Sequence, residues 1–218
     1  MRIKAVIWDL DGTLLNTLDD LAASTNAALL ASGLPLRTTD EVRQFVGNGV
    51  RKLIERAMPE MGEQHPKFQQ TLDAFVAHYG EHSKDCTRPY DGILPVLDAL
   101  SGLGVRHAIV SNKVDFAVKA LSKEYFGDRM VSAVGDDPSR AKKPAPDSVW
   151  EAMRQMGVQA EEAVYVGDSD VDVITARNAG IPCIAVTWGF RSEECLLDAG
   201  AQHIARKPEE IAAIVAQL

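Results

Sequence analysis

Beyond residue 93 the chain alternates between short apolar runs and amphipathic stretches, and few architectures accommodate that pattern. Apolar runs at 105–110, 130–134, 163–166, 181–186 and 202–205 predict strands. The stretches between them predict helices: 93–100, a segment with Val114, Ala117, Val118 and Leu121 inward, 171–179 before Gly180, and a closing 208–218. A further helix, led by Asp147 as its expected cap, turns Val149, Met153 and Met156 inward. Strands and helices in this order imply an α/β protein, a parallel sheet with helices on both faces. Residues 3–8 add one more buried strand, near the start of the chain.

That first strand is separated from the next, at Val105, by far more chain than a crossover needs, which is roughly a dozen residues. The interval reads as helix throughout. Thr17 with Asp20 forms a capping-box-like start, and Leu18, Leu21, Ala22, Thr25, Ala28 and Leu29 share a face up to the stop at Gly33 and Pro35. Thr38 and Glu41 open a second helix, and Gly47-Asn48-Gly49 breaks it. Val50, Leu53, Ile54 and Ala57 form a short amphipathic turn or two. After Pro66, Phe68, Leu72, Phe75, Val76 and Tyr79 lie along one side of a longer helix. The expected organisation is therefore a sheet domain of residues 1–14 and 89–218 with a small all-helical insert, 15–88, able to act as a lid.

The chemistry gathers where strands end, because ligands of open α/β sheets bind beyond the carboxyl ends of the strands. The first strand runs into Asp9-Leu10-Asp11-Gly12-Thr13. Two carboxylates this close repel unless a cation lies between them or one takes up a proton, and hard cations such as Mg²⁺ favour oxygen ligands. Val110 leads into Ser111-Asn112-Lys113, where a hydroxyl, an amide and the N–H groups of an opening helix would suit an anion. Lys143 sits in a proline-stiffened loop and offers a compact positive charge. Val166 leads into Gly167-Asp168-Ser169-Asp170, with Asp172 one turn on; Asp170 is expected only to complement the helix dipole. Together these loops supply what metal-assisted phosphoryl transfer needs.

A formal net charge of −8 on 218 residues argues against nucleic acid or an anionic membrane surface as the main partner. No apolar run approaches the roughly 20 residues of a membrane span. The cysteines, Cys86, Cys183 and Cys195, are odd in number and lack paired spacing, which suits a reducing, cytoplasmic setting; Cys183 is expected in the core.

The run Asp9-Leu10-Asp11-Gly12-Thr13-Leu14 resembles the first motif of the haloacid dehalogenase superfamily, and Ser111, Lys143 and Gly167-Asp168-Ser169 with Asp172 resemble the second, third and fourth, in order. The insert is similar to the cap of the phosphoglycolate phosphatase-like branch. Gly47, Asn48, Gly49 and Arg51 resemble its substrate-facing loop, and Trp188-Gly189-Phe190-Arg191 and the tail from Asp172 to Gly180 also resemble that branch. The resemblance implies a Rossmann-like core with a cap and a Mg²⁺-dependent phosphomonoesterase acting on a small phosphorylated metabolite, 2-phosphoglycolate foremost. It implies Asp9 as nucleophile, Asp11 as acid and base, Lys143 and Ser111 with Asn112 on the phosphate, and Asp9, Asp11 and Asp168 on the metal. Asp172 and Thr13 would orient the site from behind. Asp11 speaks against dehalogenation, and Asn16 departs from the family's frequent Asp at the hinge. A pyrophosphatase, nucleotide phosphatase or sugar-phosphate mutase would use the same scaffold, and a non-catalytic phospho-acceptor is the reading from another class. The assembly is expected to be a monomer or homodimer.

Overall fold

The computed structural model describes residues 2–218. The chain divides into two compact units, one comprising the residues through Leu15 with Pro89–Leu218, the other Asn16–Arg88. In the first unit six parallel strands form one sheet in the order β5-β4-β1-β6-β7-β8, with β1 Ala5–Trp8, β4 Arg106–Val114, β5 Met130–Asp136, β6 Ala163–Gly167, β7 Cys183–Val186 and β8 His203–Ala205. Two short strands, β2 Leu15–Asn16 and β3 Arg88–Pro89, form a separate two-stranded sheet where the chain passes from one unit to the other.

β1 lies centrally, with Ala5 opposite Arg106 on one side and Ala163 on the other. A strand covered on both faces must be apolar throughout, and all four β1 residues are buried. Side chains alternate across a strand, so Val6 and Trp8 enter one core layer and Ala5 and Ile7 the other. The first layer is closed by α5 (Ile93–Gly102), α6 (Asp115–Phe126) and α10 (Glu210–Gln217), through Leu97, Leu100, Leu121, Ile211 and Val215. The second is closed by α7 (Asp147–Met156) and α8 (Asp170–Ala179), through Val149, Met153, Met156 and Ala176. The α/β architecture expected from the alternation is thus the one observed.

Several local expectations give way to tertiary demands. Asp147 is the first residue of α7, not its cap, and Pro146 takes the capping position. β4 runs on past Val110, with a register shift, to Val114, so Ser111, Asn112 and Lys113 lie in the strand's irregular end and α6 begins only at Asp115. The helix-opening N–H groups proposed as an anion site beside Ser111 are therefore not there, and Val114 is exposed rather than on the inner face of a helix. A short helix, α9 (Glu193–Asp198), was not expected; Ser192 caps it by accepting the Cys195 N–H, and Leu196 buries it against Val173 and Ala185. Cys183 is partly exposed and packs at the margin of the second layer.

The second unit is helical: α1 Leu18–Ala31, α2 Thr39–Phe45, α3 Val50–Ala57 and α4 Phe68–His82. Thr38 and Glu41 form the expected reciprocal cap. Thr17 does not use its side chain to cap α1; Asp20 instead turns its carboxylate to the backbone N–H groups of Cys86 and Thr87, each at 2.9 Å. A buried N–H donor at Thr87 and a part-buried one at Cys86 outbid a local cap. Val76, expected inward, is exposed.

Candidate active site

The carboxyl edge of the sheet brings together residues far apart in the chain. Asp9 follows β1, Lys143 lies in the loop after β5, and Asp168 follows β6, with Asp172 in the first turn of α8. All four are buried. The Lys143 ammonium stands at the centre: Nζ donates to Asp9 Oδ1 at 2.7 Å and Asp172 Oδ1 at 2.8 Å. Tyr165 OH at 3.0 Å and the Val110 carbonyl at 3.3 Å complete its surroundings. Its loop is fixed by Asn112, whose side-chain amide donates to the Lys143 carbonyl (3.1 Å) while its oxygen accepts the Lys143 N–H (2.9 Å). Asn112, expected to meet phosphate, pairs its side chain with the lysine's backbone. Ser111 Oγ accepts the N–H of Lys113 at 3.2 Å, which leaves its own proton to donate.

Asp168 is held from both sides. Thr13 donates to its Oδ1 at 2.9 Å and the Phe190 N–H to its Oδ2 at 2.7 Å. Gly12, at φ +90°, faces the carboxylate so closely that a Cβ would stand 2.5–2.9 Å from its carboxyl atoms. No other residue type fits both that conformation and that space. Asp172 gives Oδ2 to the Ser169 hydroxyl (2.6 Å) and N–H (3.1 Å). Its two oxygens thus link the Lys143 ammonium to the start of α8. Asp11 is paired with Lys113, whose ammonium lies 2.9 and 3.1 Å from its two oxygens.

Burial dominates the electrostatics. It raises the Asp9 carboxyl well above its usual range, with Asp172 and Asp168 adding to the rise and Lys143 opposing it. Burial likewise pushes Asp168 up to about 7, helped by Asp172 and opposed by the Phe190 and Thr13 hydrogen bonds. Burial alone would discharge Lys143, but Asp172 and Asp9 outweigh it and hold the ammonium charged. Three carboxylates against one ammonium leave a deficit of two positive charges when all are ionised. Asp9, Asp168 and Asp172 each place a carboxylate oxygen within 4.8 Å of the others. An all-oxygen donor set short of two positive charges fits a hard divalent cation.

Sequence reasoning passed over Tyr165 and Lys113. Tyr165 reads as one more apolar residue of β6, and only the structure shows its hydroxyl against Lys143 and, at 3.1 Å, Asp172. Lys113 reads in the sequence only as part of a polar strand end. In the helical unit, Asn48 accepts from Arg56 at 2.8 Å, and Arg51 forks onto Glu63 at 2.7 and 3.0 Å above the Phe68 ring.

A parallel sheet whose strand ends converge buried carboxylates on one lysine is the framework of an α/β phosphatase. The chain belongs to the haloacid dehalogenase-like hydrolases, whose family profile matches residues 6–186. A phosphoglycolate phosphatase of Thiobacillus denitrificans is 34% identical over 194 residues, covering 87% of this chain and 86% of that protein. An N-acetylmuramic acid 6-phosphate phosphatase of Pseudomonas aeruginosa is 33% identical over 213 residues, covering 97% and 94%. A solved structure from Lactobacillus delbrueckii subsp. bulgaricus, presented as a candidate phosphoglycolate phosphatase, superposes with a TM-score of 0.94 at 33% identity, covering 99% of each chain. The protein is accordingly a hydrolase of the phosphatase kind. No helix among the described residues is long and apolar enough to cross a membrane.

Proposed function

We propose that this phosphatase is a Mg²⁺-dependent phosphomonoesterase that works through an aspartyl-phosphate on Asp9, and that 2-phosphoglycolate is its first candidate substrate. The observation that carries this reading is the buried cluster of Asp9, Asp168 and Asp172 around Lys143. Asp9 and Asp168 would hold the cation, together with the Asp11 backbone carbonyl. Bound there, it neutralises the repulsion between an anionic nucleophile and an anionic phosphate.

Lys143 fixes the Asp9 carboxylate through Oδ1, while Oδ2 has no hydrogen bond among the described residues and is the oxygen that attacks phosphorus. The bond from phosphorus to the ester oxygen breaks, and Asp11 supplies the proton that oxygen needs. Asp11 then takes a proton from water, which displaces Asp9 from phosphorus and releases inorganic phosphate. Because Asp11 is paired with Lys113 in this structure, that pair opens before Asp11 can act. The Ser111 hydroxyl and Lys143 hold phosphoryl oxygens, and the helical unit serves as the cap that selects the rest of the substrate.

The test is turnover of p-nitrophenyl phosphate with Mg²⁺. Wild type should release many equivalents of nitrophenol, and Asp9→Asn none above background, with an unchanged circular dichroism spectrum. Sustained hydrolysis by folded Asp9→Asn would remove Asp9 as nucleophile. The two named relatives are about equally identical to this chain, so a sugar 6-phosphate is a second reading. Comparing kcat/KM on 2-phosphoglycolate and N-acetylmuramic acid 6-phosphate decides between them.

A further inference from the structure

The loop after β7, residues 187–191, contributes no side chain to the proposed chemistry, yet it touches the Asp168 environment at three points. The Phe190 N–H donates to Asp168 Oδ2 at 2.7 Å. Trp188 Nε1–H donates to the Thr13 carbonyl at 3.1 Å, and Thr13 in turn holds Asp168 Oδ1. Between them Gly189 lies so near that a Cβ there would overlap both the Asp168 side chain and the Gly12 carbonyl oxygen. The loop is moored at its two ends as well: the Thr187 N–H donates to the Ala205 carbonyl at 3.2 Å, and Arg191 lies 3.6 Å from Asp170. Asp168 therefore sits in a slot whose walls are two glycines and whose donors come from two different loops.

We infer that residues 188–190 are positioning residues that set the Asp168 carboxylate for a divalent cation, with Gly189 required by the closeness of the approach. This rests on the reading above of Asp168 as a metal ligand. A Cβ at 189 displaces the carboxylate from both of its donors and so weakens ion binding ahead of substrate binding. Partners that orient a metal ligand typically govern affinity by about 10- to 100-fold. Trp188 acts at one remove, through Thr13, and its loss has a smaller effect in the same direction.

The experiment titrates Mn²⁺ into metal-free protein by isothermal calorimetry, without substrate, for wild type, Gly189→Ala, Trp188→Phe and Asp168→Ala. It is paired with KM for p-nitrophenyl phosphate at saturating Mg²⁺. Gly189→Ala should raise the Mn²⁺ Kd by about 10- to 100-fold while KM stays within about twofold, and excess metal should restore turnover. Trp188→Phe, which removes the hydrogen bond while keeping an aromatic ring, should raise Kd by several-fold with KM unchanged. Folded Gly189→Ala with wild-type Kd overturns the inference; if that variant does not fold, a wild-type Kd in Trp188→Phe overturns it. Were wild type and Asp168→Ala to bind Mn²⁺ equally, the metal-ligand reading itself would fall, and the inference with it.

Discussion

His107 ties the strand that carries Asp9 to the fold's response to acid. The imidazole is 1% exposed. Its Nδ1 accepts the Trp8 indole N–H at 3.2 Å, which forces the ring proton onto Nε2, 3.2 Å from the Leu97 carbonyl that accepts it. A second proton would set a ring N–H against the indole N–H. Burial brings the ring's pKa down to about 4 from 6.5, against the opposing pulls of the Leu97 carbonyl and Asp98. A depressed folded value means that the unfolded chain binds more protons between the two, so this contribution is present above pH 6.5 and is lost as pH falls toward 4. At about 1.4 kcal/mol per pH unit, the interval is worth about 3 kcal/mol. For a chain of this size that is roughly 6–12 °C in melting temperature. The assay compares urea unfolding of wild type and His107→Leu at pH 7 and pH 4. The variant starts lower, since it orphans the Trp8 N–H, at a cost of about 1–3 kcal/mol. Carboxylates titrate alike in both proteins, so the difference in pH dependence isolates the ring. Wild type should lose about 3 kcal/mol more than the variant over this range. Parallel losses would refute the argument that His107 is held neutral.

Removing the central cation should be costly for a different reason. Lys143→Met leaves Asp9 and Asp172 buried without their shared partner, a loss of about 3–5 kcal/mol read as a melting temperature lower by roughly 10 °C, and Mg²⁺ should recover part of it. An unchanged midpoint would show that the cluster relaxes or protonates at no cost. In the helical unit, Asp20→Asn turns an amide toward one of two N–H donors and should cost about 1–3 kcal/mol in urea unfolding; a neutral result would mean that the Cys86 and Thr87 N–H groups find other acceptors.

The fold was legible because its code is local. Periodicity over a handful of residues marks β1 as buried on both faces and α7 as amphipathic, and the parallel sheet follows from the order of such segments. Asp9 and Asp168 stood out because polar residues at the tips of apolar strands have few structural reasons to be there, and Lys143 because prolines stiffen the loop that bears it. What stayed hidden depends on partners distant in the chain. Tyr165 and Trp188 look like hydrophobic filling until their polar atoms find Lys143 and the Thr13 carbonyl. Thr17 and Asp20 have the spacing of a cap, but the Asp20 carboxylate is taken by backbone N–H groups far along the chain, and Asp147, with a cap's chemistry, lies one residue inside its helix. Gly189 falls in a run that resembles the family, but the reason a glycine is needed there, the space that Asp168 and Gly12 occupy, appears only in the structure.

The separations within this cluster also govern when it can exist. Lys143 meets Asp9 across 134 positions, Asp168 meets Thr13 across 155, and Trp188 meets Thr13 across 175. During synthesis β1 emerges first and then waits, its apolar residues unpaired, for neighbours translated much later. A chain ending before Phe190 would contain Asp9 and Asp168 but lack the N–H that holds Asp168 Oδ2. Catalytic competence should therefore wait for residue 190, long after the nucleophile's own strand has been made.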